Sequence, residues 1–524
     1  MIDLRFLRKP SFWVGSIAYL AAIVVIALML TTAGNDAIWL DEAFSYGIVE
    51  YDFLTVAAHT AGDVHPPLYY CILKVVIDLT SLFGADRIVV GKVVSVLPFV
   101  ALAIYAAIFV RKDFGFATAG IFSLVICIMP NLFRYSSEVR MYTWCMAFTL
   151  AALIHAYEVM KAPEKLFPWF ALSFHTLCAA YTQYFALIAV FFVWLGVFIV
   201  MLCKFRKFWL RFVLFAGGTV LLYLPWLLVL LKVGGMSSYT GGVDFSKVNF
   251  RDFYKYHFFA VAFETKWGQF HQFVMVLSLI ILALSIVKHR LDEVNLMAIV
   301  GGGVYLGLVF VLILMSAFTS HDLFNRYIFP AVGCLWYPVV VLSVRLVENP
   351  LPAWKEKGKD FPAICKKALP AVNGLVALTL LCSVTVTGFF SVSNGLKTYR
   401  AETEAFESYR EQVLDKVEEG DYVVTDSDLF ALPVLYIQLP KAHVCSWIKK
   451  GTVNWNCKNS GVIEGEAHLL SLLESGETVW VFATGALSYL KDFAADRGYP
   501  VKEYGYFPNV DTVNCAGSTV YQLN

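Results

Sequence analysis

Residues 66–83, PPLYYCILKVVIDLTSLF, decide the topology of this chain. The stretch is 18 residues long, enough to be counted as a membrane crossing. Yet Lys74 and Asp78 lie within it, Pro66 and Pro67 open it, and counting it as a span would move every later basic loop to the other side of the membrane. We read it as an interfacial or half-buried helix.

With that segment set aside, apolar runs predict eleven spans, near 12–33, 87–110, 114–133, 141–160, 166–182, 184–203, 209–231, 270–287, 294–317, 327–346 and 369–390. Arg5, Arg8 and Lys9 precede the first, which is too long for a cleaved signal and has no small-residue cleavage site, so it is read as retained. Short basic loops bias to the cytoplasm. The sets Arg111/Lys112, Lys161/Lys165, Lys204/Arg206/Lys207/Arg211, Lys288/Arg290 and Lys355/Lys357/Lys359/Lys366/Lys367 all fall on the N-terminal side. The segments Gly34–Asp86, Arg134–Arg140, Lys232–Gln269, Phe318–Arg326 and the C-terminal tail then lie outside. Lys232, Lys247, Arg251, Lys255 and Lys266 run against the charge rule, but in a loop long enough to obey it poorly.

Composition agrees. Of 524 residues, 59% are hydrophobic and only 15% charged, against about 25% in soluble domains. That excludes a soluble multidomain enzyme and a disordered chain. The net charge of +1 conceals an asymmetry: from Val392 onward there are 11 Lys/Arg against 18 Asp/Glu, net −7, leaving +8 for the preceding part. We therefore expect a membrane domain over 1–391 and an external domain over 392–524.

In the tail, helical spacing over Tyr399–Glu419 stops at Gly420. Strands are predicted at Asp421–Thr425, Val479–Ala483, Val501–Tyr506 and Ser518–Leu523, with helices at Leu429–Leu439, Glu466–Glu474 and Ala486–Arg497. The alternation implies a small α/β domain with a partly parallel sheet. It carries no Gly-rich phosphate loop, so a structural or substrate-shaping role is expected. Cys445, Cys457 and Cys515 lie where oxidation is permitted; we expect Cys445–Cys457 to pair, with one thiol left over.

Four polar clusters fall at external boundaries. Trp39-Leu40-Asp41-Glu42-Ala43-Phe44 sets two carboxylates beside the membrane, where they need a partner or a task; Asp and Glu also suit an exposed first helical turn, and both readings stand. In Asp63-Val64-His65-Pro66-Pro67-Leu68-Tyr69-Tyr70 the prolines fix an extended approach to a helix, presenting Asp63 and His65 at the interface. Arg134–Tyr142 (RYSSEVRMY) places Glu138, Arg140 and Tyr142 in the first turns of a helix if that helix starts near Ser137. His321–Tyr327 (HDLFNRY) brings Arg326 and Tyr327 to a similar place. Arginines at an outer boundary oppose the charge bias and call for anionic partners. Their planar donor forks suit a phosphate, and Asp41 suits removal of a proton from an attacking hydroxyl.

At these residues the sequence resembles the GT-C glycosyltransferases that use polyprenyl-phosphate-linked sugars. The resemblance is to the family-39-like group, which includes protein O-mannosyltransferases and, more distantly, the lipid A aminoarabinose transferase. It is carried, in order, by WLDEAF (39–44), DVHPPLYY (63–70), SSEVRMY (136–142), AAYTQYFAL (179–187), LPW (224–226) and NRYIFP (325–330). It implies a polytopic α-helical membrane protein with interfacial helices in the first external loop and an active site at the extracytoplasmic face of the cell envelope. It also implies direct glycosyl transfer, usually inverting, from a lipid-phosphate sugar to a hydroxyl or amine on a lipid, glycan or protein.

On the same resemblance Asp41 is the base with Glu42 beside it, Asp63 and His65 shape the donor and acceptor site, and Arg140 lies near the lipid phosphate with Glu138 orienting it. A phosphate monoester is a workable leaving group, so no metal is demanded, although a divalent cation is permitted. Partners are the carrier lipid, membrane lipids and the acceptor, and no nucleic acid. Ser137, Val139 and Gln183 depart from the Gln, Ala and His common at the matching positions. Two other classes compete with this reading. A lipid or sugar transporter or flippase would show two similar halves with broken helices, and no such repeat is visible. A non-catalytic envelope-assembly protein would use the acidic tail as its docking surface.

Overall fold

The computed structural model describes residues 9–62, 65–129, 132–233, 267–319, 325–348, 363–447, 457–507 and 517–524. Among the described residues, eight stretches are long and apolar enough to cross a membrane. One of these, Arg87–Ile128, contains two of the predicted spans, separated at Gly115, whose φ of 84° breaks the helical path. Leu166–Ala180 and Val276–His289 are shorter apolar helices. The predicted spans are thus mainly helical over their described residues, with non-helical ends at Ala33, Met129, Met141 and Tyr181–Thr182, and the protein is an integral membrane protein.

The loop after the first span folds into three short helices, Leu40–Ile48, Phe53–Ala61 and Leu68–Ser81. The last is the decisive stretch of the sequence. Its 14 residues rise roughly 21 Å, short of a hydrocarbon core of about 30 Å. Tyr69, Tyr70 and Leu73 are buried, whereas Val75, Leu79, Leu82 and Phe83 are exposed, and Lys74 pairs with Asp78 at 2.9 Å. Such a helix lies along an apolar surface and does not cross it. Tyr46, from Leu40–Ile48, donates to the Ile88 carbonyl at 2.7 Å and fills the space a Cβ on Gly91 would occupy. The carboxylate-bearing helix is thereby locked against the second span.

The helix Ala363–Gln412 is 50 residues long and runs unbroken through Ser391, where the composition changes. The predicted eleventh span and the first tail helix are one rod. Beyond it lies a six-stranded sheet of β1 (Tyr422–Thr425), β2 (His443–Ser446), β3 (Gly461–Val462), β4 (Val479–Ala483), β5 (Val501–Phe507) and β6 (Ser518–Leu523), in the order β3-β2-β1-β4-β6-β5. The β3-β2-β1-β4 part is parallel and β4-β6-β5 antiparallel. Cys445 and Cys457 do not form a disulfide, which corrects the expected pairing. They pack into separate cores, Cys445 with Leu469 and Val481 and Cys457 with Trp480 and Phe482. Cys515 lies outside the described residues.

The tail is fastened to the first loop through Glu50, which accepts from Arg87 Nη1 at 2.8 Å and from Tyr436 OH at 2.6 Å, while Arg87 Nη2 reaches the Ile437 carbonyl at 3.1 Å. Arg410 pairs with Asp36 at 2.7 Å. Hydrogen bonds to a charged group contribute about 1.5–3 kcal/mol when partly buried. Glu50→Ala is therefore expected to lower the thermal midpoint by several degrees and to speed proteolysis of the tail. Unchanged proteolysis would show that the tail docks by other contacts.

Candidate functional site

Asp41 and Glu42 are neighbours in the first turn of one helix, so their side chains leave it about 100° apart. Packing gives them different surroundings. Glu42 is buried, and both its oxygens accept from backbone: Oε2 from Trp39 N at 3.1 Å, closing its own helix, and Oε1 from Val139 N at 2.9 Å. Burial pushes its carboxyl pKa up, although Lys92 and the two backbone donors oppose the rise. Asp41 is turned the other way and stays a quarter exposed. Its Oδ2 lies 3.8 Å from Arg140 Nε and 3.8 Å from Arg326 Nη1, which is ion-pair rather than hydrogen-bond distance.

Arg140 is buried, and its Nη1 donates to the Asp41 carbonyl at 3.2 Å and contacts Ser45 Oγ and Tyr70 OH at 3.4 Å. Arg326 stands over the Trp39 ring at 5.6 Å, and Tyr327 stacks on Phe185 at 4.5 Å. Tyr142 is buried, with its ring against Tyr135 at 5.3 Å. The segment 136–141 is not helical, which corrects the expected helix start near Ser137. The helix begins at Tyr142, because Glu42 has claimed the Val139 N–H and the Glu138 carbonyl takes that of Arg140 at 2.7 Å. Glu138 and Arg140 therefore project from a bend.

His65 is buried with Nδ1 unpartnered among the described residues. Burial first, then Arg140 and Arg326, hold its pKa well below the usual imidazole range, so it is neutral at pH 7. Asp63, His321 and Asp322 lie outside the described residues.

A cavity of about 230 Å³ is lined by Trp39, Glu42, Lys92, Arg134, Glu138 and Arg326, with Tyr399 and Glu402 of the long helix; Asp41 is not part of its lining. Glu138 Oε1 is buried and unpartnered among the described residues, and burial, reinforced by Glu42 and Asp41, pushes its pKa up to about 8 from 4.5. Between these values the folded protein holds a proton that the unfolded chain has released, so this group makes stability fall as pH rises from about 4.5 towards 8. Glu138→Gln is expected to flatten the decline in thermal midpoint between pH 5 and pH 8.5. Identical pH profiles for variant and wild type would refute the shift.

Several participants escaped the sequence reading. Ser45 follows Asp41 by four residues and shares its helix face, and Tyr70 sat unremarked in the proline motif. Lys92, alone in an apolar helix, carried a signal. Its Nζ donates to Asn35 O at 2.8 Å, Asn35 Oδ1 at 2.6 Å and Ala37 O at 2.6 Å, and Asn35 Nδ2 reaches Thr403 Oγ1 at 2.9 Å. A lysine thus ties the first loop and the long helix together. Among the described residues no group of three or more His, Cys, Asp or Glu side chains could hold a metal. A separate polar network of Tyr105, His155, His175 and Glu158 lies near Lys112, towards the basic-loop end.

No protein-family model and no curated protein sequence matches the chain. Solved structures do. ArnT from Cupriavidus metallidurans bound to undecaprenyl phosphate is 12% identical and superposes over 98% of this chain and 98% of its own, with a TM-score of 0.57. The chain has the GT-C fold. The apo state of the same ArnT gives 12% identity over 96% of this chain and 97% of its own, with a TM-score of 0.55. Within the GT-C fold, the arginine–aspartate cluster is built from the loop after the first span, the 136–141 bend and the Asn325–Ile328 turn, at the end of the bundle opposite Lys112, Lys161 and Lys204.

Proposed function

We propose that the protein is a membrane glycosyltransferase that moves a sugar from a polyprenyl-phosphate carrier to a hydroxyl or amine acceptor at the extracytoplasmic face. The observation that carries this reading is Asp41 held 3.8 Å from each of two arginines contributed by distant segments. One carboxylate between two guanidinia suits a site where a second anion, the donor phosphate, joins them. The sidedness follows from charge: the cluster is at the end away from the short basic loops. The likeness to a structure bound to undecaprenyl phosphate supports that carrier class.

In this reading the donor phosphate is gripped by Arg140 and Arg326, and the acceptor approaches beside Asp41. Asp41 Oδ2 takes the acceptor proton as the acceptor oxygen bonds to C1 of the sugar. The C1–O bond to phosphate breaks on the opposite face, inverting the configuration, and its electron pair leaves on the phosphate monoester. The arginines stabilise the charge that develops there. Glu42, with both oxygens on backbone amides, positions the helix against the 136–141 bend. His65, Tyr142 and Tyr327 shape the walls, and Glu138, protonated at neutral pH, offers a hydrogen-bond donor to the neighbouring cavity. Asp63 is assigned a part in shaping the donor and acceptor site on the strength of the sequence motif alone.

The test is purified protein in nanodiscs with radiolabelled undecaprenyl-phosphate sugars and an envelope extract as acceptor. Label covalently transferred, with release of undecaprenyl phosphate, is the expected result. Sugar movement across the bilayer without product would assign a transporter, and absence of both binding and product would assign a scaffold.

A further inference from the structure

Gln183 is 1% exposed, and both its Oε1 and its Nε2 lie buried with no hydrogen-bond partner among the described residues. Leaving a donor and an acceptor of one amide dry is costly, and such groups persist in folded proteins when something outside the chain satisfies them. The turn that carries Gln183 is anchored on both sides to the site. Two residues before it, the Tyr181 carbonyl accepts from Leu68 N at 2.9 Å, fixing the turn to the His65-Pro66-Pro67 corner. Two residues after it, Phe185 stacks on Tyr327 at 4.5 Å, next to Arg326. Gln183 thus sits on the turn joining the His65 wall to the Arg326 wall, and His65 contributes a second orphaned atom, Nδ1.

We propose that Gln183, with His65, reads the hydroxyl groups of the transferred sugar and selects a neutral sugar over an amino sugar. This rests on the glycosyltransferase reading above. The chemistry fits hydroxyls: each sugar hydroxyl both donates and accepts, an amide offers one of each, and a vicinal pair satisfies both its atoms. The phosphate belongs to the arginines, so an uncharged amide has no electrostatic part in holding it. A protonated amine needs an anion, and neither Gln183 nor a neutral His65 supplies one.

The test compares wild type, Gln183→Met and Gln183→Ala in detergent, with sugar-free undecaprenyl phosphate and with undecaprenyl-phosphate-linked mannose, glucose and 4-amino-4-deoxyarabinose. Methionine keeps the volume and removes both orphaned atoms. Gln183→Met is expected to raise the thermal midpoint of the donor-free protein and to lower kcat/KM for the neutral-sugar donors roughly 10- to 100-fold. Its affinity for sugar-free undecaprenyl phosphate stays within about twofold of wild type. A lowered midpoint in Gln183→Met would show that the amide has a partner within the protein and would overturn the proposal. So would unchanged kcat/KM in both variants, or wild-type preference for the amino-sugar donor. If wild type binds undecaprenyl phosphate but transfers no sugar, the glycosyltransferase reading falls and this inference falls with it. That result is distinguishable, because it appears in wild type before any variant is compared.

Discussion

Asp41→Asn is expected to lower the transfer rate by about 10²–10⁴-fold, the range general-base catalysis supplies, with donor-lipid affinity equal to wild type or higher. Asparagine has the shape of aspartate and can keep a place between Arg140 and Arg326, so the first loop stays folded. What disappears is the basicity of the carboxylate that takes the acceptor proton, since an amide oxygen accepts a hydrogen bond but does not hold a proton at neutral pH. Removing the negative charge also leaves both arginines to the phosphate alone, which is why binding does not fall. Single-turnover transfer and undecaprenyl-phosphate binding, measured on one preparation, separate the two effects. Wild-type turnover in this variant would remove Asp41 from the chemistry.

Arg140→Ala is expected to act on the other half of the reaction. The guanidinium is buried and holds Asp41, Ser45 and Tyr70 in one place. A charge-assisted bond to phosphate contributes about 1.5–3 kcal/mol, so affinity for undecaprenyl phosphate should fall by roughly 10- to 150-fold, and transfer should fall further because Asp41 loses a neighbour. Arg140→Lys should recover only part of this, since an ammonium restores the charge without the planar fork. The matching change at Arg326, which is about a quarter exposed, should cost less. If Arg140→Ala binds the lipid as wild type does, the phosphate lies elsewhere.

Much of this site was legible before any fold was known, and the exceptions have physical reasons. The helix after the third cluster begins at Tyr142 and not near Ser137, because a carboxylate almost a hundred positions earlier takes the Val139 amide. Nothing local to RYSSEVR announces that bond. Strand β2, His443–Ser446, was missed by the sequence reading; its parallel pairing with β1 makes it a strand. The boundary placed at Ser391 falls within one continuous helix, because a change from apolar to charged side chains alters what a helix touches but not its own hydrogen bonds. Conversely, Val479–Ala483 was found at its observed limits, being a short run of apolar and aromatic residues buried on both faces.

Sequence alone determined which segments are helical and apolar, which loops carry the positive charge, and that carboxylates and arginines collect at the other boundary. These are local properties: transfer free energy sums along a run of residues, and charge can be counted loop by loop. Tertiary structure decided what each ionisable group faces. Asp41 and Glu42 are indistinguishable as text, yet one meets two guanidinia and the other two backbone amides. A helix sends consecutive side chains about 100° apart, and only the packing of distant segments fixes what lies in each direction.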